Sequence, residues 1–107
     1  MIDEVEKMLN EIVLIGKITK LNIYIENGEK IVDLTISTPR NYKNKNGLYD
    51  CDLFPIRLVK SIAINTAEFC KINDLIGIRG RLENQDGRIT IIPLTVSFLS
   101  KNKEQEN

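Results

Sequence analysis

The chain has 107 residues, and its 15 basic and 15 acidic side chains give a formal net charge of zero. This length is enough for one domain with its own core, and the balanced charge provides no general attraction to nucleic acid or to an anionic membrane surface. Because the chain has no histidine, and Cys51 and Cys70 lack the spacing of a metal site, we expect neither an enzyme nor a bound metal or other cofactor.

The first half of the chain alternates between apolar and polar residues, which indicates β-strands. Residues 11–19 form the first predicted strand, with Gly16 at its centre marking a bulge or a sharp bend. A turn at residues 26–28 leads to the second strand at residues 30–38. The polar run "RNYKNKNG" at residues 40–47 is then expected to be a hairpin loop.

The second half of the chain changes its hydrophobic period once. Residues 49–59 alternate as a third strand, whereas residues 61–72 place their apolar side chains at helical spacing. We expect the first residue of this helix to cap it and Asn73 to permit its end. Two more strands are predicted over residues 74–83 and 88–99, and no apolar run is long enough to cross a membrane.

Five strands with one short helix between the third and the fourth is the order of an OB-fold, a five-stranded Greek-key barrel of the all-β class. Gly16, Gly77 and Gly80 suit the tightly bent strands of such a barrel. We expect the OB-fold domain to span residues 9–99, after an acidic N-terminal extension at residues 1–8. Residues 100–107 are expected to be a disordered polar tail.

Four stretches of the chain resemble one known family in order and spacing. "LNEIVLIGKITK" at residues 9–20 resembles the family's opening strand, and "NGEKIVDLTIST" at residues 27–38 resembles its second strand. Residues 62–84 are similar to its helix and fourth strand, and "VSFL" at residues 96–99 is similar to its last strand. The family is that of bacterial and phage-type single-stranded DNA-binding proteins, of which this chain would be a divergent member.

The chain departs from this family in its aromatic residues. Family members stack bases on tryptophans, and this chain has none. Tyr42 falls where one of these aromatics sits, Leu53 and Phe54 straddle the place of a second, and Val59 occupies a third. The tail also lacks the acidic run with a hydrophobic tip through which typical members recruit repair enzymes, so we do not expect that recruitment.

Single strands are held by bases stacked on aromatic or guanidinium planes, at roughly 1–3 kcal/mol per base, within a groove of cations. The run at residues 40–47 supplies one ring and three cations, and the resemblance favours a binding role over an ordinary solvated loop. Phe54 has a second interpretation as a core residue, and Arg79 and Arg81 as exposed ion-pair partners of Glu83 or Asp52. The candidate nucleic-acid-binding residues are Lys17, Arg40, Tyr42, Lys43, Lys45, Phe54, Arg57, Arg79 and Arg81.

The resemblance implies sequence-independent binding of single-stranded DNA in replication, recombination or repair, by a homodimer or homotetramer. RNA is a possible ligand too, because a stacking platform contacts base faces and not sugars. Two free thiols are typical of a cytoplasmic protein. The alternative is an OB-fold assembly module, similar to the primosomal replication protein, with weak or no strand binding; the neutral charge and missing tryptophan favour it.

Overall fold

A computed structural model describes residues 8–100 of the protein as five strands and one helix. The helix lies between the third and fourth strands, which confirms the predicted all-β class and the OB-fold order. Most of the predicted N-terminal extension and tail lies outside the described residues, and Ser100, which was assigned to the tail, belongs to the last strand. The elements are β1 (Ile12–Glu26), β2 (Glu29–Lys43), β3 (Tyr49–Val59), α1 (Lys60–Phe69), β4 (Leu75–Gln85) and β5 (Arg88–Ser100).

Strand β1 lies at the centre of an antiparallel sheet whose strand order is β3-β2-β1-β4-β5. Its first part pairs with β4 and its second part with β2, and Lys17 has a partner on both sides. Gly16 directly precedes Lys17. A Cβ on Gly16 would lie only 2.5 Å from the carbonyl oxygen of Ser37. The predicted irregularity is present but follows shortly after Gly16, as a register shift between Ile18 and Lys20.

The core lies between the inner sides of the strands and helix α1. Val32, Leu34 and Ile36 of β2 are buried, as the alternation predicts. Helix α1 contributes the buried residues Ala63 and Thr66 and packs against β2, β3 and β5. No helix within residues 8–100 has the length and apolar character needed to cross a membrane.

The largest difference from the prediction lies in the hairpin between β2 and β3. The predicted loop at residues 40–47 is wrong in its first half, because residues 40–43 belong to β2 and only residues 44–48 turn. Asn44 closes the turn, since its side-chain oxygen accepts the N–H of Leu48 at 3.1 Å. Most of this end of the hairpin is exposed on both faces, so its sequence lacks the apolar alternation that identifies a strand.

Helix α1 also differs from its prediction at both ends. It spans Lys60–Phe69, three residues shorter at its C-terminus than residues 61–72, and its N-cap is Val59 instead of Ser61. The chain beyond it is fixed by Asp74, whose carboxylate accepts a backbone N–H at 2.9 Å. Asn73 adopts a φ of 78°, which is the permissive conformation predicted for it.

Candidate nucleic-acid interface

The outer face of β1, β2 and β3 consists of cross-strand partners that point away from the core. Partners share one face of a sheet, so the register alone defines which side chains lie side by side. In the order β1, β2, β3, the rows of this face are Lys17–Ser37–Leu53, Lys20–Thr35–Pro55, Asn22–Asp33–Arg57 and Tyr24–Ile31–Val59, and Ile31 in the last row is buried. Two of the predicted binding residues, Lys17 and Arg57, therefore lie on the same face.

A groove of about 640 Å³ lies between this outer face and the first residues of β5. Lys20, Arg57 and Arg88 bring three positive charges to the groove from three different strands. Pro55 and Ile91 add apolar surface beside them. This combination of spaced cations and apolar surface suits a flexible polyanion that carries aromatic groups between its charges.

Arg57 is held in the groove by Asp33 and Tyr24. Its Nε and Nη2 donate to the two carboxylate oxygens of Asp33 at 2.8 and 3.0 Å, and the Tyr24 hydroxyl donates to the same carboxylate at 2.8 Å. The hydrogen bond from Arg57 lowers the pKa of Asp33, and the hydrogen bond to Asp33 raises the pKa of Tyr24. Asp33 thus stays ionised at neutral pH and competes with any phosphate for Arg57, although an exposed pair of this kind is worth only about 0–1 kcal/mol.

Lys20 and Arg88 are the groove cations that form no ion pair with a carboxylate within residues 8–100. Neither was predicted from the sequence, because neither adjoins an aromatic residue or a cluster of cations. The fold itself, however, indicates a binding role for Arg88. An OB-fold binds oligonucleotides on its β2–β3 face between the loops that follow β1 and β4, and Arg88 directly follows the second of these loops.

Arg40 and Tyr42 lie on the opposite side of the β2–β3 hairpin. Arg40 donates to Asp52 at 2.9 Å, and its Nη1 lies 3.5 Å from the Tyr42 hydroxyl. The register of β3 is unbroken between Asp52 and Arg57, so side chains five positions apart point to opposite faces. The sequence treated Arg40, Tyr42 and Arg57 as parts of one binding surface, whereas the structure places Arg40 and Tyr42 on the side of the hairpin opposite to Arg57. Their contact with nucleic acid stays a prediction.

Lys43 and Tyr49 form the cross-strand pair at the end of the hairpin. Tyr49 shares the outward side of β3 with Leu53 and Arg57, since the three are separated by even numbers of residues. The Lys43 Nζ lies 5.8 Å from the centre of the Tyr49 ring, within cation–π range. The hairpin end therefore presents a ring and a cation on the same side as the groove.

The remaining candidates are spread over other parts of the surface. Arg79 and Arg81 lie on β4 and pair with Glu11 and Glu83, so the alternative interpretation of Arg81 as the partner of Glu83 is confirmed. Phe54 is half-buried opposite Ile36, on the core side of β3. Lys45 is an exposed turn residue. Their contact with nucleic acid stays a prediction.

The order of the strands and helix defines the protein as an OB-fold chain, and its cationic groove is of the kind that suits an oligonucleotide. The sequence matches the model of the single-strand binding protein family over residues 9–88, and the chain belongs to this family.

Known proteins similar to this chain bear out the assignment. Single-stranded DNA-binding protein B of Bacillus subtilis is 32% identical over 88 residues, which cover 75% of this chain and 77% of that protein. The single-stranded DNA-binding protein of Streptococcus mutans is 34% identical over 89 residues, covering 76% of this chain and 54% of that longer protein. The crystal structure of the small single-stranded DNA-binding protein from Streptomyces coelicolor superposes with a TM-score of 0.64 at 14% identity, covering 85% of this chain and 94% of that one. This likeness supports the fold.

Proposed function

We propose that the protein binds single-stranded DNA without base-sequence specificity and that the strand lies in the groove on the outer face. The observation that carries the proposal is the convergence of Lys20, Arg57 and Arg88 on one groove of a single-strand binding family barrel. Phosphates are held by these cations, and bases lie against apolar surface such as Pro55 and the exposed Leu53. The protein acts by covering strands and not by catalysis.

The cellular role we infer is protection of exposed single strands in replication, recombination or repair, in the cytoplasm. Cys51 is exposed and forms no disulfide within residues 8–100, which is typical of a reducing compartment. The groove offers cations and apolar side chains, both of which act on DNA and RNA alike, so RNA is included as a competitor in the test below.

A fluorescence anisotropy titration tests the proposal. A labelled oligothymidylate is titrated at low salt, with unlabelled duplex DNA and unlabelled RNA of equal length as competitors. The expected result is saturable binding that duplex DNA displaces poorly, because paired bases cannot lie against the groove. Undetectable binding of the oligothymidylate, or equal competition by the duplex, would overturn the proposal.

Replacing the carboxylate that holds Arg57 is expected to strengthen binding. Asp33→Asn removes the carboxylate that competes with a phosphate for Arg57, so the affinity at fixed low salt should rise. Asp52→Asn is the matched control, since it makes the same change in charge and releases Arg40 on the opposite side of the hairpin. We expect a smaller gain from the control. Equal gains in the two variants would contradict the placement of the strand on the outer face.

We further propose that the protein is a homodimer or homotetramer that associates through the first part of β1. Val13 and Ile15 are 63% and 53% exposed there. Pairing of β1 with β2 starts only at Lys17, so within residues 8–100 the preceding residues of β1 have a strand partner on the β4 side alone. An exposed apolar strand edge is a template for pairing with a second chain.

Ile15→Glu is expected to convert the assembly into a monomer, because it places a charge in a buried apolar contact. Analytical ultracentrifugation at micromolar concentration measures the change, with 12.2 kDa as the mass of the monomer. Ile25→Glu is the control, since Ile25 is 63% exposed at the far end of the same strand and should leave the assembly intact. A wild-type protein that sediments only as a monomer would refute the proposal.

A further inference from the structure

We infer that Lys43 and Tyr49 form a second contact for the strand at the end of the β2–β3 hairpin, with a base on the Tyr49 ring and a phosphate at Lys43. The inference rests on the proposed function and adds a stacking platform outside the groove. Among the tyrosines of the hairpin, it assigns this role to Tyr49 and not to Tyr42.

Exposure does not distinguish the two rings, since Tyr42 is 60% and Tyr49 is 55% exposed. The two rings differ in the side of the hairpin on which they lie. Tyr49 is separated from Leu53 and Arg57 by even numbers of β3 residues, which places it on their outward side, and the register shift beside it, between Pro39 and Lys43, adds its extra residues on β2 and not on β3. Tyr42 lies on the side of Arg40 and Asp52, where a strand leaving the groove would have to pass around the edge of the hairpin.

Charge also favours Tyr49. The Lys43 Nζ lies over its ring, 5.8 Å from the centre, and makes no ion pair with a carboxylate within residues 8–100. A cation beside one part of the ring leaves the rest of the ring for a base and stays close enough to the nucleotide to meet its phosphate. Beside Tyr42, by contrast, the charge of Arg40 is already met by Asp52.

The outward side of β3 provides a continuous path between the two contacts. Arg57 lies eight positions beyond Tyr49 on β3, a span of about 26 Å at the rise of a β-strand. The exposed Leu53 lies midway along it and supplies apolar surface for a base. Site sizes of OB-folds run from about 4 to about 16 nucleotides, so a short oligonucleotide can occupy the groove alone while a long one also reaches the hairpin end.

The experiment compares Tyr49→Ala and Tyr42→Ala with oligothymidylates of about 4 and about 16 nucleotides, the limits of OB-fold site sizes. We expect Tyr49→Ala to weaken the long ligand by about 5- to 150-fold, which corresponds to the loss of one stacked base, and to leave the short one unchanged. Tyr49→Phe should restore the affinity, because the ring is what stacks. Tyr42→Ala should bind both ligands as the wild type does.

Tyrosine fluorescence gives a second readout, since the chain has three tyrosines and no tryptophan. A base that stacks on Tyr49 should quench its emission in the wild type and in Tyr42→Phe, and the quenching should be lost in Tyr49→Phe. Tyr42→Ala weakening the long ligand while Tyr49→Ala does not would overturn the inference. Failure of the wild type to bind either ligand would instead overturn the proposed function, so the two failures are distinguishable.

Discussion

Gly80→Ala is expected to lower the free energy of unfolding by at least about 3 kcal/mol, the upper range of overpacking costs, or to prevent folding. An added Cβ would overlap the carbonyl oxygen of Ile92 and lie 3.0 Å from the Ile92 carbonyl carbon and 3.1 Å from the Pro93 Cα. All three atoms are backbone, at the register shift where β4 meets β5, so no side chain can rotate away to make room. Native proteins have free energies of unfolding of about 5–15 kcal/mol, so this loss would be a large fraction of the total stability.

Gly77→Ala is the matched control on the same strand. An added Cβ there would come nearest to the Leu99 Cδ1, at 3.5 Å, which is ordinary van der Waals contact. We expect a change of less than about 1 kcal/mol. Urea unfolding followed by circular dichroism measures both variants. Equal destabilisation by the two substitutions would contradict the close approach of β4 and β5 at Gly80.

Lys20 and Arg88 are the groove cations without an ion pair in the described part of the chain, and reversing both charges, in Lys20→Glu combined with Arg88→Glu, is expected to have the largest effect on DNA binding. The variant loses two phosphate contacts, which should flatten the log–log salt dependence by about 1.4. It also places two carboxylates beside the phosphates, so we expect at least a tenfold loss of affinity at low salt. Anisotropy with the long oligothymidylate measures both quantities.

The control for this pair keeps the change in net charge but moves it away from the groove. Lys60→Glu combined with Lys71→Glu reverses two exposed cations that do not line the groove. Because the control removes no side chain that lines the groove, it should leave the log–log salt slope unchanged and lower the affinity less than the groove variant does. If the control variant bound the oligothymidylate as weakly as the groove variant does, net charge and not the groove would determine binding.

The sequence predicts the fold well because burial leaves a periodic trace. Alternation marks β2 and β3 wherever one side faces the core, as at Val32, Leu34 and Ile36. The same trace disappears at the end of the β2–β3 hairpin, where most side chains on both sides are exposed. This is why the sequence assigns Arg40 to a loop and the structure assigns it to a strand.

The candidate site was less predictable because it depends on tertiary placement. Lys20 and Arg88 are far apart in the chain and meet only when β5 lies beside the outer face. The choice between Tyr42 and Tyr49 depends on which side of a strand each ring takes, and an irregular register between Pro39 and Lys43 intervenes. Arg57 was predicted to point outwards, as it does, but its pairing with Asp33 follows only from the register of β2 and β3.

The salt dependence of binding to a long oligothymidylate tests the central claim most directly. Contacts from Lys20, Arg57, Arg88 and Lys43 predict a log–log slope of about −2.8, at about −0.7 for each phosphate on a single strand. The groove variant should reduce this slope to about −1.4. A wild-type slope near zero, or no binding at low salt, would contradict the account of a single strand held in this groove.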